Sequence, residues 1–203
     1  MLMKKLLLLF LTLVILSGCS AAREIYHDDL GAVVDSHVLG DVTAPVQIVE
    51  YTDFECNFCA NFHNDTFRKI KTNYISTGKA SFVIIDFPLI SVHKNAFDAA
   101  KASYCAGDQD RYWEMLDKIF GNQGNLRIKN LIEYAEQIEV KNMVRFEDCL
   151  RSDKYDKVIE RNLVKGANAG VKGPPTFFIN DVQIDGAQSF ELFAEKIDKI
   201  VNQ

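Results

Sequence analysis

Two cysteines separated by two residues, Cys56-Asn57-Phe58-Cys59, stand between an apolar run at 46–51 and a stretch of helical periodicity at 57–74. A Cys-x-x-Cys at a strand-to-helix junction is where proteins hold a reactive dithiol. Spacing of three puts both sulfurs on one side of the first helical turn, close enough to bridge. Cys56 then lies beside the unpaired N–H groups and the positive dipole end of the helix. That setting favours the thiolate, the species that attacks a disulfide, so Cys56 is the expected nucleophile, exposed to solvent, and Cys59 the expected resolving cysteine. The chemistry is dithiol-disulfide exchange. Half of a zinc site is the competing reading, but tetrahedral zinc needs two further ligands, and the sequence has no second Cys-x-x-Cys or close His pair. No metal and no cofactor is expected.

The first residues point to the compartment. Lys4 and Lys5 precede a nearly continuous apolar stretch from Leu6 to Leu16, too short to span a bilayer but of the right length for a secretory signal core. It runs into Leu16-Ser17-Gly18-Cys19, which resembles a bacterial lipobox. Residues 1–18 are therefore expected to be a lipoprotein signal peptide, with Cys19 carrying the lipid; an uncleaved anchor, or an ordinary signal beside an accidental cysteine, are the other readings. Residues 19–40 read as a polar tether, with room for one short strand near Val33, and 41–203 as the folded domain. The net charge of the whole sequence is −5, and losing two lysines with the signal makes the mature chain more acidic, so nucleic acid is not an expected partner. Its length is enough for one full core. Export implies an oxidising space at the bacterial cell envelope, where cysteine pairs persist.

The elements that must position the dithiol follow from hydrophobic patterning. Residues 46–51, introduced by Pro45, predict a buried strand. Cys59, Phe62, Thr66, Ile70 and Tyr74 lie on one face of the helix that follows. Residues 81–86 predict a second strand, closed by Pro88, and the two strands and helix make a parallel βαβ unit. From His93 to about Gly170 the composition is helical, with breaks at Gly107, at Gly121 to Gly124 and around Val140, which predicts four or five helices. Residues 176–179 and 182–185 flank Asn180-Asp181, a two-residue turn suited to a hairpin. Phe190, Phe193, Ile197 and Ile200 finish the chain as an amphipathic helix.

Four motifs occur in order along this framework: Glu50-Tyr51-Thr52-Asp53-Phe54-Glu55-Cys56-Asn57-Phe58-Cys59; Asp86-Phe87-Pro88-Leu89; Cys105-Ala106-Gly107-Asp108-Gln109 with Trp113-Glu114; and Gly170-Val171-Lys172-Gly173-Pro174-Pro175-Thr176-Phe177-Phe178-Ile179-Asn180. With the element order they resemble the thioredoxin superfamily, and more closely its DsbA-like disulfide oxidoreductases. The resemblance implies an α/β thioredoxin fold with an all-helical subdomain inserted at about 91–170. It identifies Pro175 as the cis-proline that packs against the dithiol and presents backbone groups to a substrate strand. Pro174 departs from the family pattern: it has no N–H, so one backbone hydrogen bond to a bound substrate is lost. Glu50 falls where the family keeps a buried acid behind the second cysteine, able to exchange a proton with Cys59; a solvated strand-edge carboxylate is the bland alternative. Asn57 and Phe58 replace a frequent proline and a histidine, which implies a milder oxidant than the strongest members.

Cys105 and Cys149 fall in the helical block. In an exported protein they are expected to form a structural disulfide, two buried free thiols being the alternative. His93 is expected to cap or pack at a helix start, His63 to take a surface or packing role, and Tyr112, Trp113 and Phe120 to be core of the helical subdomain. His27 and His37 fall in or near the tether. The functional reading is an envelope-anchored monomeric oxidase that donates its disulfide to folding exported proteins and is reoxidised by a membrane redox partner. A reductase or isomerase on the same fold, and a redox-inert lipoprotein that only binds a client or a metal, are the alternatives.

Overall fold

Pro45 cannot donate a backbone hydrogen bond, and the strand begins immediately after it. β1, Val46–Thr52, is buried along almost its whole length, which explains its continuous rather than alternating apolar run. β2, Ala80–Asp86, is buried throughout and pairs parallel to β1 in register from Val46↔Ala80 to Thr52↔Asp86. The computed structural model describes residues 37–202. The segment expected to be a signal peptide, Cys19, His27 and the strand expected near Val33 lie outside these residues.

The segment between β1 and β2 is one long helix, α1, made of Asn57–Phe62, His63–Phe67, Arg68–Ile70 and Lys71–Ile75, the second and fourth of which are π-helical turns. Such wide turns have no signature in apolar spacing, and an ordinary helix was the expectation. β3, Thr176–Ile179, pairs antiparallel with β1, and β4, Val182–Asp185, antiparallel with β3. The sheet order is β2-β1-β3-β4. Asn180 turns the hairpin at φ 49°, a conformation that asparagine tolerates better than most residues.

Five helices separate β2 from β3: α2 Ala96–Gly107, α3 Tyr112–Phe120, α4 Ile128–Gln137, α5 Met143–Arg151 and α6 Asp156–Asn168. The breaks fall where the glycines and Val140 placed them, with one more at 152–155. Met115, Leu116, Ile119, Leu131 and Phe146 are fully buried among these helices, and Cys105 on α2 is joined to Cys149 on α5, their Cα atoms 5.8 Å apart. α6 returns to the sheet. A Cβ at Gly166 would stand 2.6 Å from the Phe87 ring, so only glycine allows this approach.

α7, Phe190–Val201, closes the core beside α1. Phe62 packs at 4.3 Å between ring centroids on Phe177 and at 5.3 Å on Phe193. Truncating Phe62, which is 1 % exposed, would cost about 3 to 5 kcal/mol. Trp113 differs from expectation: it is half-buried and stacks on Phe67 of α1, at the seam between helical block and sheet. Phe120 reaches across the same seam to Phe54 and His63.

The tether expected to 40 ends earlier. His37 is buried, its ring 3.9 Å from that of Tyr112, and Leu39 exchanges both backbone hydrogen bonds with Phe82 at 2.9 Å. A single histidine and a single leucine in a polar stretch carry no periodic signal, which is why their docking was not foreseen. Among the described residues no helix is long and apolar enough to cross a membrane.

A candidate dithiol active site

β1 ends at Thr52, and Asp53-Phe54-Glu55 turn the chain into α1. Cys56 is the N-cap, with extended backbone (φ −80°, ψ 122°); its N–H donates to the Asp53 carbonyl and its carbonyl accepts from Ala60. This leaves the sulfur facing the first N–H groups of the helix. Cys56 and Cys59 are both free thiols. A hydrogen bond from Cys59, followed by those from the backbone N–H groups of Cys59 and Phe58, holds Cys56 down to about 6 against its burial. Cys59 is fully buried, and burial, then Cys56 and the Glu50 charge, push its thiol well up. One sulfur is therefore thiolate at neutral pH and the other stays protonated, the asymmetry an exchange site needs.

Cys56 was expected to be exposed, but it is only 7 % so. The Pro174–Pro175 segment covers it: the Pro174 carbonyl oxygen lies 3.8 Å from the Cys56 sulfur, within reach of its proton when the thiol is protonated. The bond between these two prolines is cis. Pro175 is buried, Pro174 half-buried. Asn57 and Phe58 point outward, Phe58 being 67 % exposed.

Glu50 lies behind the dithiol and is fully buried, neither carboxyl oxygen having a hydrogen-bond partner. Desolvation dominates and raises it to about 8, with Thr52 offsetting part and Cys56 adding to it. The strand-edge alternative therefore does not describe it. A second buried acid, Asp86, sits one strand over beside Thr52. Burial raises it to about 6, against hydrogen bonds from the Tyr104 hydroxyl at 2.6 Å and the Asn162 amide at 3.0 Å.

Two further groups at the site had no role assigned from sequence. Asp53 is fully buried, and its carboxylate accepts from Glu55 N–H, Leu89 N–H and His93 Nδ1 at 2.8, 2.7 and 2.8 Å. Glu55 accepts from both the backbone N–H and the side-chain amide of Asn95, at 2.6 Å each. His93 thus does not cap α2, whose N-cap is Asn95; it joins the loop after β2 to the dithiol turn. The available signal was an acid three residues before the nucleophile. His63 is buried against Asp117 at 2.8 Å and on the Phe67 ring, a packing role. Among the described residues no group of three or more His, Cys, Asp or Glu is placed to hold a metal ion.

Comparison with known proteins agrees with this geometry. A thioredoxin family model, Thioredoxin_4, matches residues 32–199. The chain is 36 % identical over 173 residues to a protein of Salinispora arenicola named Na(+)/H(+) antiporter NhaA 1, covering 83 % of this chain and 26 % of that one. It is 30 % identical over 171 residues to a provisionally named protein-disulfide oxidoreductase of Rickettsia felis, covering 82 % and 60 %. The chain thus spans about a quarter of the antiporter-named relative and less than two thirds of the other. Among solved structures, it resembles alpha-DsbA1 of Wolbachia pipientis at 28 % identity and a TM-score of 0.72, covering 82 % of this chain and 90 % of that one. Oxidised BdbD from Bacillus subtilis shares the fold at a TM-score of 0.75 and 23 % identity, covering 83 % and 95 %. With a thiolate-favouring Cys56, a buried Cys59 and the Pro174 carbonyl over Cys56 on this framework, the chain belongs to the thioredoxin superfamily and, within it, to the DsbA-like thiol-disulfide oxidoreductases.

Proposed function

We propose that this protein is a thiol oxidase of the bacterial cell envelope, exported, held at a membrane by a lipid on Cys19, and acting as a monomer on folding exported proteins. A substrate thiolate attacks Cys56 of the Cys56–Cys59 disulfide; the substrate-to-Cys56 bond forms, the Cys56–Cys59 bond breaks, and Cys59 leaves with the electron pair and takes up a proton. Glu50 supplies or stores that proton. A second substrate thiolate then attacks the mixed disulfide and Cys56 leaves as thiolate. The substrate is oxidised by two electrons, the protein is reduced to its dithiol, and a membrane redox partner returns it to the disulfide.

The observation that carries the direction is the Cys56 thiol held at about 6. A stable leaving thiolate favours the reduced protein and so makes its disulfide an electron acceptor. Substrate backbone is expected to lie against Pro174 and Pro175, with Asn57 and Phe58 beside the reacting sulfur. The antiporter-named relatives, in which the matched stretch is about a quarter of the length, support a redox domain that works beside a membrane. Equilibrating the protein with a glutathione buffer and following refolding of a reduced, disulfide-containing client tests the reading. An oxidase equilibrates as dithiol at potentials where a reductase would still be disulfide, and it speeds client oxidation. A dithiol that never equilibrates would leave only a binding module.

A further inference from the structure

The exchange chemistry above leaves Asp53 and His93 without a part, although they meet at the turn that leads into the nucleophile. Asp53 is three residues ahead of Cys56, fully buried, and bonded through its carbonyl to the Cys56 N–H at 3.1 Å. Its negative charge works against a thiolate at Cys56 and undoes part of what the helix N-terminus supplies. Two of the three donors to its carboxylate are backbone N–H groups, which bring no net charge. The third, His93 Nδ1 at 2.8 Å, can.

His93 comes from the loop between β2 and α2, and its side chain is 27 % exposed, so it can exchange protons with solvent. The loop is held at both ends by carboxylates of the dithiol turn, through Leu89 and His93 to Asp53 and through Asn95 to Glu55. Burial lowers the proton affinity of the ring, but the Asp53 hydrogen bond together with the charges of Asp53, Cys56 and Glu55 outweighs it, and the net direction is up. The two residues between the cysteines, Asn57 and Phe58, carry no charge.

We propose that His93, acting through Asp53, is a positioning residue that supplies the site's compensating positive charge: protonated, it cancels the buried carboxylate of the turn before Cys56 and favours the thiolate; neutral, it leaves Asp53 opposing it. The inference rests on Cys56 and Cys59 being the exchange site. The ionisable groups that bear on the pair are Glu50 and Cys59 behind it, Asp53 and Glu55 from the turn before α1, and His93 from the loop before α2. Two pH limbs follow. Thiolate forms as pH rises through about 6, and compensation fades at higher pH as His93 loses its proton.

The test is ultraviolet titration of the Cys56 thiolate in the purified full chain, beside the exchange rate with oxidised glutathione, for the parent, H93Q, H93K and D53N/H93Q. H93Q is expected to hold about fivefold less thiolate at pH 6 than the parent. H93K keeps the thiolate and removes the upper pH limb, because lysine stays charged. D53N/H93Q returns the titration to within about twofold of the parent, since the opposing charge is gone too. A folded H93Q that titrates like the parent overturns the inference. Should H93Q not fold, H93K decides: a loss of thiolate there would show that the ring, not its charge, matters, and would equally overturn it. A parent that exchanges no disulfide at all sinks the exchange reading, and this inference with it.

Discussion

The carbonyl oxygen of Pro174 stands 3.8 Å from the sulfur of Cys56, across 118 residues of sequence. That contact puts the backbone expected to receive a substrate strand directly over the reacting atom. It supplies an acceptor there, but Pro174 has no N–H with which to donate in return.

Restoring that donor should tighten substrate binding. Pro174→Thr is expected to gain about 1 kcal/mol, or roughly fivefold, in affinity for a client peptide, and to prolong the mixed disulfide correspondingly. Peptide titration with a Cys59→Ser trap measures both. Unchanged affinity would remove the idea.

Glu50 should show opposite effects on stability and rate. Unfolded, its carboxyl titrates near 4.5; folded, at about 8. A raised carboxyl pKa means the folded state loses stability as pH climbs from 4.5 to about 8, because the unfolded chain ionises there while the buried group must stay protonated. Glu50→Gln removes that loss and is expected to stabilise the fold at pH 7 by about 3 kcal/mol at most, with little gain at pH 4. Exchange should slow in the same variant, since the leaving Cys59 loses the group that supplies its proton. Denaturant melts and pH-rate profiles read the two effects, and identical profiles for parent and variant would count against the proton role.

The reduced protein should outlast the oxidised one above pH 6. Cys56 titrates at 9.0 unfolded and about 6 folded, so its ionisation stabilises the folded dithiol fully above 9.0, and that contribution disappears as pH falls through 6. The disulfide form has no such group. Unfolding both forms at pH 5 and pH 8 checks the sign; a difference that shrinks toward pH 8 would contradict it.

A thiol held at about 6 lies between the thiols of thioredoxin and DsbA, at about 7 and about 3.5. The potential of the Cys56–Cys59 pair is therefore expected between roughly −270 and −120 mV. Equilibration with glutathione gives the value, and one at either extreme would refute the link drawn from pKa to direction.

The second disulfide is remote from the exchange pair in sequence and tethers α2 to α5. Its loop of 44 residues is worth about 4 kcal/mol in the chain-entropy account. A Cys105→Ser/Cys149→Ser double variant should lose stability on that scale while exchanging disulfides through Cys56 and Cys59 at near the parental rate. A parallel loss of exchange in a folded variant would give the bridge a catalytic part.

The strands, the dithiol helix and the hairpin were legible because each is a local pattern: a continuous apolar run, a helical stripe, a turn dipeptide. The five-helix block was legible from composition and its breaks. What escaped was contact between distant, individually ordinary residues. Asp53 and His93 are 40 positions apart, and nothing local marks an acid that will be buried in the turn before a cysteine. Cys56 looked exposed because its helix position is read locally, whereas its cover comes from Pro174. Trp113 read as core of the helical subdomain because apolar character does not say which neighbour a side chain will meet.

Leu39 occupies the outer side of β2 at Phe82, taking both of that residue's backbone groups. The sheet's longer border is thus partly closed at Leu39, and its other border, β4, is four residues long and presents Val182, Gln183 and Asp185 to solvent. Short and charged borders resist strand addition by a second molecule. A version starting at residue 41 would bare the Phe82 backbone and the hollow that His37 fills over Gly107, and edge-to-edge self-association is the expected result.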